Sequence, residues 1–320
     1  MSSLSLEEKL AAANLVPQAR VYLELMNQQP SIVNLEPHVI REALQSIPKP
    51  QFELPALKSI EDKKINVKGN EQITVRIYTP EGEGPFPLVV YYHGGGWVIG
   101  DLETANESCH LLAHNAQVIV VSVDYRLSPE YKFPTPFNDS YTALQWVAEN
   151  AVELNGSVSK MFVAGDSAGG NLSAAVSLRS KQENGPAIAG QILIYPVTAL
   201  DYNTESYQLF ENGFGLDKDL MIWFGNHYIR NEEDTKAPYI APLYANDLTG
   251  LPPAFVIAVE NDVLRDEGQA YAKKLENAGI KVEERLEEGL VHGYFTNYAM
   301  FGENIENTIT AINRFIKSKI

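Results

Sequence analysis

The sequence predicts an α/β protein, in which a mostly parallel sheet is flanked by helices and topped by a helical cap. Three observations carry the prediction. From Leu88 onward, short continuous apolar runs alternate with helical patterns. Before them, two segments alternate polar and apolar residues with period two, which marks a half-exposed hairpin. Between Tyr195 and Ala254 lie nearly sixty residues, far more than one crossover between parallel strands needs.

Residues 1 to about 50 read as helical, with Pro17, Pro30, Pro37 and Pro48 dividing short segments. Apolar residues recur there at helical spacing: Val21 and Leu25, then Val39, Ala43 and Ile47. Residues 64–68 and 73–78 form the hairpin, with Gly69-Asn70 between them. Strands buried on both faces follow at 88–92, 118–123, 161–164, 191–195 and 254–259, and a more alternating one at 281–286. Helices are expected at 102–115, 136–150, 168–181, 264–278 and 303–318. A strand–helix series of this kind winds a parallel sheet by right-handed crossovers. The interruption after Tyr195, rich in aromatic residues and with a helix expected at 217–230, reads as an insertion over the carboxyl edge of the sheet. With the N-terminal helices it forms the expected cap.

Composition narrows the functional classes. The formal net charge of −16 repels phosphate backbones and anionic lipid, which argues against nucleic-acid and membrane partners. The single cysteine, Cys109, excludes an intramolecular disulfide and a multi-cysteine zinc site, and reads as a small buried apolar residue. The N-terminus lacks a basic start and an apolar core, and no run approaches the length of a membrane span. A cytoplasmic protein is the expectation.

The sharpest motif is Gly165-Asp166-Ser167-Ala168-Gly169, between a strand and a helix. That context presents a serine hydroxyl at a tight turn above the sheet, at a helix N-terminus that favours negative charge. Ser167 is the candidate nucleophile. His93-Gly94-Gly95-Gly96-Trp97 follows another strand directly. Successive glycines let backbone N–H groups converge on an anion, so Gly94, Gly95 and Ala168 are the expected oxyanion donors. The loop lacks the Lys-Ser/Thr of a phosphate-binding loop and the glycine spacing of a dinucleotide site. With a serine at such an elbow, acid and then histidine follow in chain order. Only His227 and His292 come after Ser167. His227 falls in the insertion, so His292, after the last strand, is the expected base, and His93 orients its own loop. Asp262, in the loop after the strand 254–259, is the expected acid, with Glu260 as runner-up. Such a set hydrolyses acyl compounds without metal or cofactor.

These blocks, together with Asp124-Tyr125-Arg126-Leu127-Ser128-Pro129-Glu130 and Asp262-Val263-Leu264-Arg265-Asp266-Glu267-Gly268, resemble the hormone-sensitive lipase family of α/β-hydrolases, especially its bacterial esterases. The resemblance covers about residues 60 to 320. It implies an eight-stranded core with strand two antiparallel, and short- to medium-chain acyl esters as substrates. It also implies a homodimer, since many relatives form one. The expected division is an N-terminal cap segment, 1–55, and a hydrolase domain, 56–320, with the cap insertion at about 199–235. Ser128 stands where relatives usually have Ala, and Val263 where many have Pro. Trp97, Tyr195, Phe214 and Leu290 are expected to wall the substrate pocket. An amidase or deacetylase on the same residues, and a non-catalytic ligand-binding protein on this scaffold, stay open as alternatives.

Overall fold

A computed structural model describes residues 5–47 and 50–320. Pro48, expected to divide the N-terminal helices, lies outside them. The N-terminal segment carries α1 (Leu6–Ala12), α2 (Pro17–Met26) and α3 (Pro37–Ser46). The hairpin strands β1 (Ser59–Val67) and β2 (Glu71–Thr79) follow, joined through Gly69 and Asn70 at φ +95° and +60°, the left-handed pair that a tight hairpin turn requires. Then come β3 (Phe86–Tyr92), α4 (Asn106–Ala116), β4 (Ile119–Asp124), α5 (Thr135–Glu149), β5 (Gly156–Asp166), α6 (Ala168–Glu183) and β6 (Gly190–Ile194). The insertion holds α7 (Glu205–Leu209) and α8 (Lys218–Tyr228), and the chain closes with β7 (Ala254–Asn261), α9 (Arg265–Asn277), β8 (Val282–Val291) and α10 (Tyr298–Lys317).

The eight strands make one sheet in the order β1-β2-β4-β3-β5-β6-β7-β8. β2 runs antiparallel to β1 and β4, and every other pair is parallel. Alternation along the strands divides the core. Leu193 and Val256 face α6 and α9, in a cluster with Leu178 and Leu275. Phe162 and Phe255 face the other side, where Phe315 of α10 packs on both. Residues 88–92 of β3 are wholly buried, as a strand covered on both faces must be. Because β3, β5, β7 and β8 are parallel, their carboxyl ends open at the same edge, and this edge carries the site.

Several element boundaries, and the buried faces of α2 and α3, differ from the sequence expectation. β8 continues to Val291 rather than ending near Leu286. Glu288-Gly289 reads as a turn in sequence, but the Gly289 N–H donates to Glu260 Oε2 at 2.7 Å and its carbonyl accepts from the Val16 N–H at 3.0 Å. Partners remote in sequence thus hold it as a bulge in the strand. α4 starts at Asn106 rather than 102, because the Asp101 carboxylate accepts from the Glu103 N–H and its own N–H donates to Thr104, a local turn that competes with helix. α10 begins earlier than expected, capped by Asn297. On α2 and α3 the helices form, but Val21, Leu25, Val39 and Ile47 are exposed; Ala19, Leu23, Pro37 and Ile40 are the buried residues.

The N-terminal segment touches the insertion directly. Asn27 donates to the Gly213 carbonyl at 3.1 Å, Lys9 pairs with Glu211 at 3.5 Å, and Leu6 packs against Gly213. The insertion is anchored to α9 in turn. Glu267 Oε1 accepts the N–H groups of Thr198 (2.7 Å) and Ala199 (3.1 Å), and Ser206 bonds both Asp266 and the Val263 carbonyl. Burial pushes Glu267 up to about 8, and nearby Asp262 and Asp201 add to the shift, while its two N–H partners oppose it. Among the described residues, no helix is long and apolar enough to cross a membrane.

Two outcomes follow. A Cβ on Gly169 would overlap the Tyr92 carbonyl, which is backbone of a central strand and cannot yield. Gly169→Ala should cost about 3 kcal/mol, read as a lower urea midpoint at unchanged slope; an unchanged midpoint would contradict this packing. Glu267 holds its proton in the fold up to about 8 but releases it near the ordinary 4.5 when unfolded. Its contribution is therefore complete below 4.5 and is lost as pH rises through 8. Glu267→Gln should flatten the fall in unfolding free energy across that window. If the variant and the wild type fall in parallel, the assignment of this proton is wrong.

Candidate active site

Ser167 occupies the turn between β5 and α6 with φ +55° and ψ −117°, a strained backbone for a residue with a side chain. The strain persists because both flanks are held. The Ser167 N–H donates to the Ile194 carbonyl at 2.9 Å, and its carbonyl accepts from Val197 and Asn171. Gly165 and Gly169 let strand and helix approach so closely that a Cβ at either would strike backbone. The hydroxyl therefore projects above the sheet edge, at the N-terminus of α6.

His292 follows β8 directly, and its Nε2 lies 3.0 Å from Ser167 Oγ. Its Nδ1 lies 2.7 Å from Asp262 Oδ2. A carboxylate only accepts, so Nδ1 carries the proton and Nε2 faces the serine as acceptor. Asp262 follows β7 directly and is buried; its other oxygen accepts from the Leu264 N–H at 3.0 Å. Both carboxylate oxygens are thus engaged, and the imidazole is held in one tautomer and one orientation. Glu260 is occupied with Gly289 and with Asn14 at 2.8 Å, so its carboxylate braces the β8 bulge rather than the histidine. His227 sits on α8, edge-on to Trp223.

The loop after β3 departs from expectation at one donor. The Gly94 N–H donates to Asp166 Oδ1 at 3.0 Å, so it is committed within the protein and is not available to an oxyanion. Asp166 is buried and also accepts from the Tyr91 hydroxyl at 2.8 Å. Burial pushes its carboxyl up, and these two bonds hold it down against that. The donors left free are those of the next two residues. The Gly94 carbonyl faces His93 Nδ1 at 2.7 Å, and in a trans peptide the Gly95 N–H then points the opposite way. The Gly95 carbonyl accepts from Val98 (3.0 Å) and Ile99 (2.9 Å), which turns the Gly96 N–H away in the same manner. Neither N–H has an acceptor among the described residues, and neither has that of Ala168, first residue of α6. Gly95, Gly96 and Trp97 all have positive φ (+104°, +60° and +61°).

His93 itself is fully buried and stacks on Tyr125 at 4.3 Å. Burial lowers it to about 4, against the opposing pull of the Gly94 carbonyl and Asp101. It is therefore a neutral donor that orients its loop.

The four expected pocket residues are all buried and belong to one hydrophobic cluster. Tyr195 lies beside His292, ring centroids 4.6 Å apart. Leu290 is two residues before His292 in β8. Trp97 stacks flat on Tyr228 of α8 at 4.2 Å, and Phe214 packs edge-on to Phe210 at 5.0 Å within the insertion. Unforeseen in the sequence is Phe224 of α8, which lies so close over Gly96 that a Cβ there would meet its ring. A cavity of about 530 Å³ opens between the N-terminal segment and the insertion, with Met26, Ile32 and Leu220 among its walls. Among the described residues no three His, Cys, Asp or Glu side chains gather as a metal site.

The chain resembles known proteins both in sequence and in fold. The sequence pattern of a family described as having the alpha/beta hydrolase fold matches residues 89–296. The chain is 43% identical over 267 residues to carboxylesterase NlhH of Mycobacterium tuberculosis, covering 82% of this chain and 83% of that protein. It is 39% identical over 234 residues to an arylesterase of Saccharolobus solfataricus, covering 73% and 76%. The fold superposes on a solved esterase of Rhizomucor miehei with a TM-score of 0.91 at 37% identity, covering 96% of this chain and 97% of that one. The chain thus belongs to the α/β-hydrolase fold family, in its hormone-sensitive lipase type that includes bacterial carboxylesterases.

Proposed function

We propose that the chain is a carboxylesterase that cleaves short- to medium-chain acyl esters of small molecules through an acyl-enzyme on Ser167. The observation that carries this reading is the relay from Ser167 Oγ to His292 Nε2 at 3.0 Å and from His292 Nδ1 to Asp262 at 2.7 Å. In it, His292 takes the Ser167 proton as Oγ attacks the ester carbonyl. Negative charge develops on the carbonyl oxygen, and the free N–H groups of Gly95, Gly96 and Ala168 stabilise it. Asp262 stabilises the imidazolium. The imidazolium then protonates the departing alcohol, leaving an ester on Ser167. Water, deprotonated by His292, attacks that ester, and the acid and free serine are regenerated. The reaction needs no metal and no organic cofactor.

The N-terminal helices and the insertion are proposed to form a cap over this site. Their mutual contacts at Gly213 and Glu211, and the seating of Phe224 on the oxyanion loop, support that reading. Tyr195, beside His292, is proposed as a wall of the substrate pocket.

Hydrolysis of p-nitrophenyl esters from acetate to palmitate tests the assignment. Short esters should turn over fastest, and Ser167→Ala should lower kcat at least ~1000-fold. An undiminished Ser167→Ala variant would remove the serine from the mechanism. Faster turnover of p-nitroanilides than of matched esters would move the assignment to an amidase.

A further inference from the structure

The oxyanion loop is strained, with three successive residues at positive φ, including Trp97 at +61°. Such a conformation persists only when the surroundings determine it. Most of its supports come from the sheet or from the loop itself: Asp166, His93, and the Val98 and Ile99 N–H groups. One hydrogen-bonding support comes from the N-terminal segment. Arg41, on α3, donates from Nε to the Val98 carbonyl at 2.7 Å and from Nη2 to the Ser128 carbonyl. Its two terminal nitrogens also grip Glu130 at 3.0 and 2.9 Å. The Ser128 N–H in turn donates to the Trp97 carbonyl at 2.9 Å.

We propose that Arg41 is a positioning residue for the reaction assigned above: its guanidinium ties the N-terminal segment to the Val98 and Ser128 carbonyls, and so holds the Gly96 N–H on the developing oxyanion. The connection is short. The same turn that offers the Val98 carbonyl to Arg41 places the Val98 and Ile99 N–H groups on the Gly95 carbonyl, and this carbonyl sets the direction of the Gly96 N–H. The Glu130 carboxylate is half-exposed, so the ion pair itself contributes little. What matters is the planar fork, which reaches two carbonyls and a carboxylate at once. A lysine ammonium, a point charge on a flexible stem, does not replace it. Arg41 lies outside residues 89–296, the span that matches the family pattern, so this support belongs to the N-terminal segment.

The inference rests on the proposed esterase reaction, and the experiment separates the two. Wild type, Ser167→Ala, Arg41→Met and Arg41→Lys are assayed on p-nitrophenyl butyrate. Reactive serines are counted by stoichiometric phosphonylation, and affinity is measured for a trifluoromethyl ketone that adds reversibly to Ser167. Per reactive serine, kcat should fall about tenfold in both arginine variants, because a misplaced donor forfeits part of its effect. KM should stay within about twofold, since a ground-state ester makes little use of the hole. Affinity for the ketone should fall in step with kcat/KM. A structural role alone would lower the number of reactive serines or the melting temperature while kcat per serine stayed at the wild-type value; that result, in either variant, would overturn the proposal. So would full activity in Arg41→Lys. If the wild type cleaves no ester, or Ser167→Ala still does, the esterase mechanism falls and this proposal with it. If the wild type is active, Ser167→Ala is dead and both arginine variants are unimpaired, this proposal alone falls.

Discussion

The approach of β5 to α6 across Gly165 and Gly169 sets the geometry of the whole reactive edge. There is no room for a Cβ at either residue, and the turn between them forces Ser167 to φ +55°. That conformation raises the hydroxyl above the sheet and leaves the Ala168 N–H without an intrahelical acceptor. It also sets the Asp166 side chain beneath the neighbouring loop, where it binds Tyr91 and the Gly94 N–H. One tight crossing thus places the serine, sets Ala168 at the first position of α6 and supports the loop after β3.

Around that crossing, the polar side chains of the candidate site are held by more than one partner. Asp262 uses one oxygen on His292 and the other on the Leu264 N–H. His93 uses a neutral ring to fix a peptide plane, and burial keeps it neutral. Groups held in this way need little rearrangement when charge develops, which is where preorganised dipoles do most for a rate. The aromatic residues of α8 extend the arrangement outward. Phe224 covers Gly96, Tyr228 stacks on Trp97, and the Tyr228 carbonyl accepts from Phe133. The insertion is therefore packed onto the loop that carries the Gly95 and Gly96 N–H groups.

The acidic residues near the site have separate tasks. Asp262 faces the histidine. Glu260, two residues earlier, braces a bulge in β8, and Glu267, five residues later, anchors the start of the insertion. Their spacing along one loop and one helical turn is short, yet they point in different directions, because the chain leaves β7 at Asn261 and enters α9 at Arg265.

Much of this was legible in the sequence. Apolar runs separated by helical periodicity specify a parallel sheet, because strands covered on both faces have no polar side. Gly-x-Ser-x-Gly between a strand and a helix specifies the elbow, and chain order with strand position points to His292 and to the loop that holds Asp262 and Glu260. What the sequence left undecided concerns partners distant along the chain. Gly289 reads as a turn until Glu260 and Val16 are seen to hold it in a strand. Gly94 looks like an oxyanion donor as good as Gly95 until Asp166 is seen to occupy its N–H. Val21 and Leu25 look like a buried stripe until α2 is seen to dock through Ala19 and Leu23. Arg41 is one arginine among many until its guanidinium is placed between two loops. Local backbone preference and hydrophobic periodicity are short-range quantities that a sequence states directly. Which hydrogen-bonding groups are already satisfied, and which are left for a substrate, is decided only when distant segments meet.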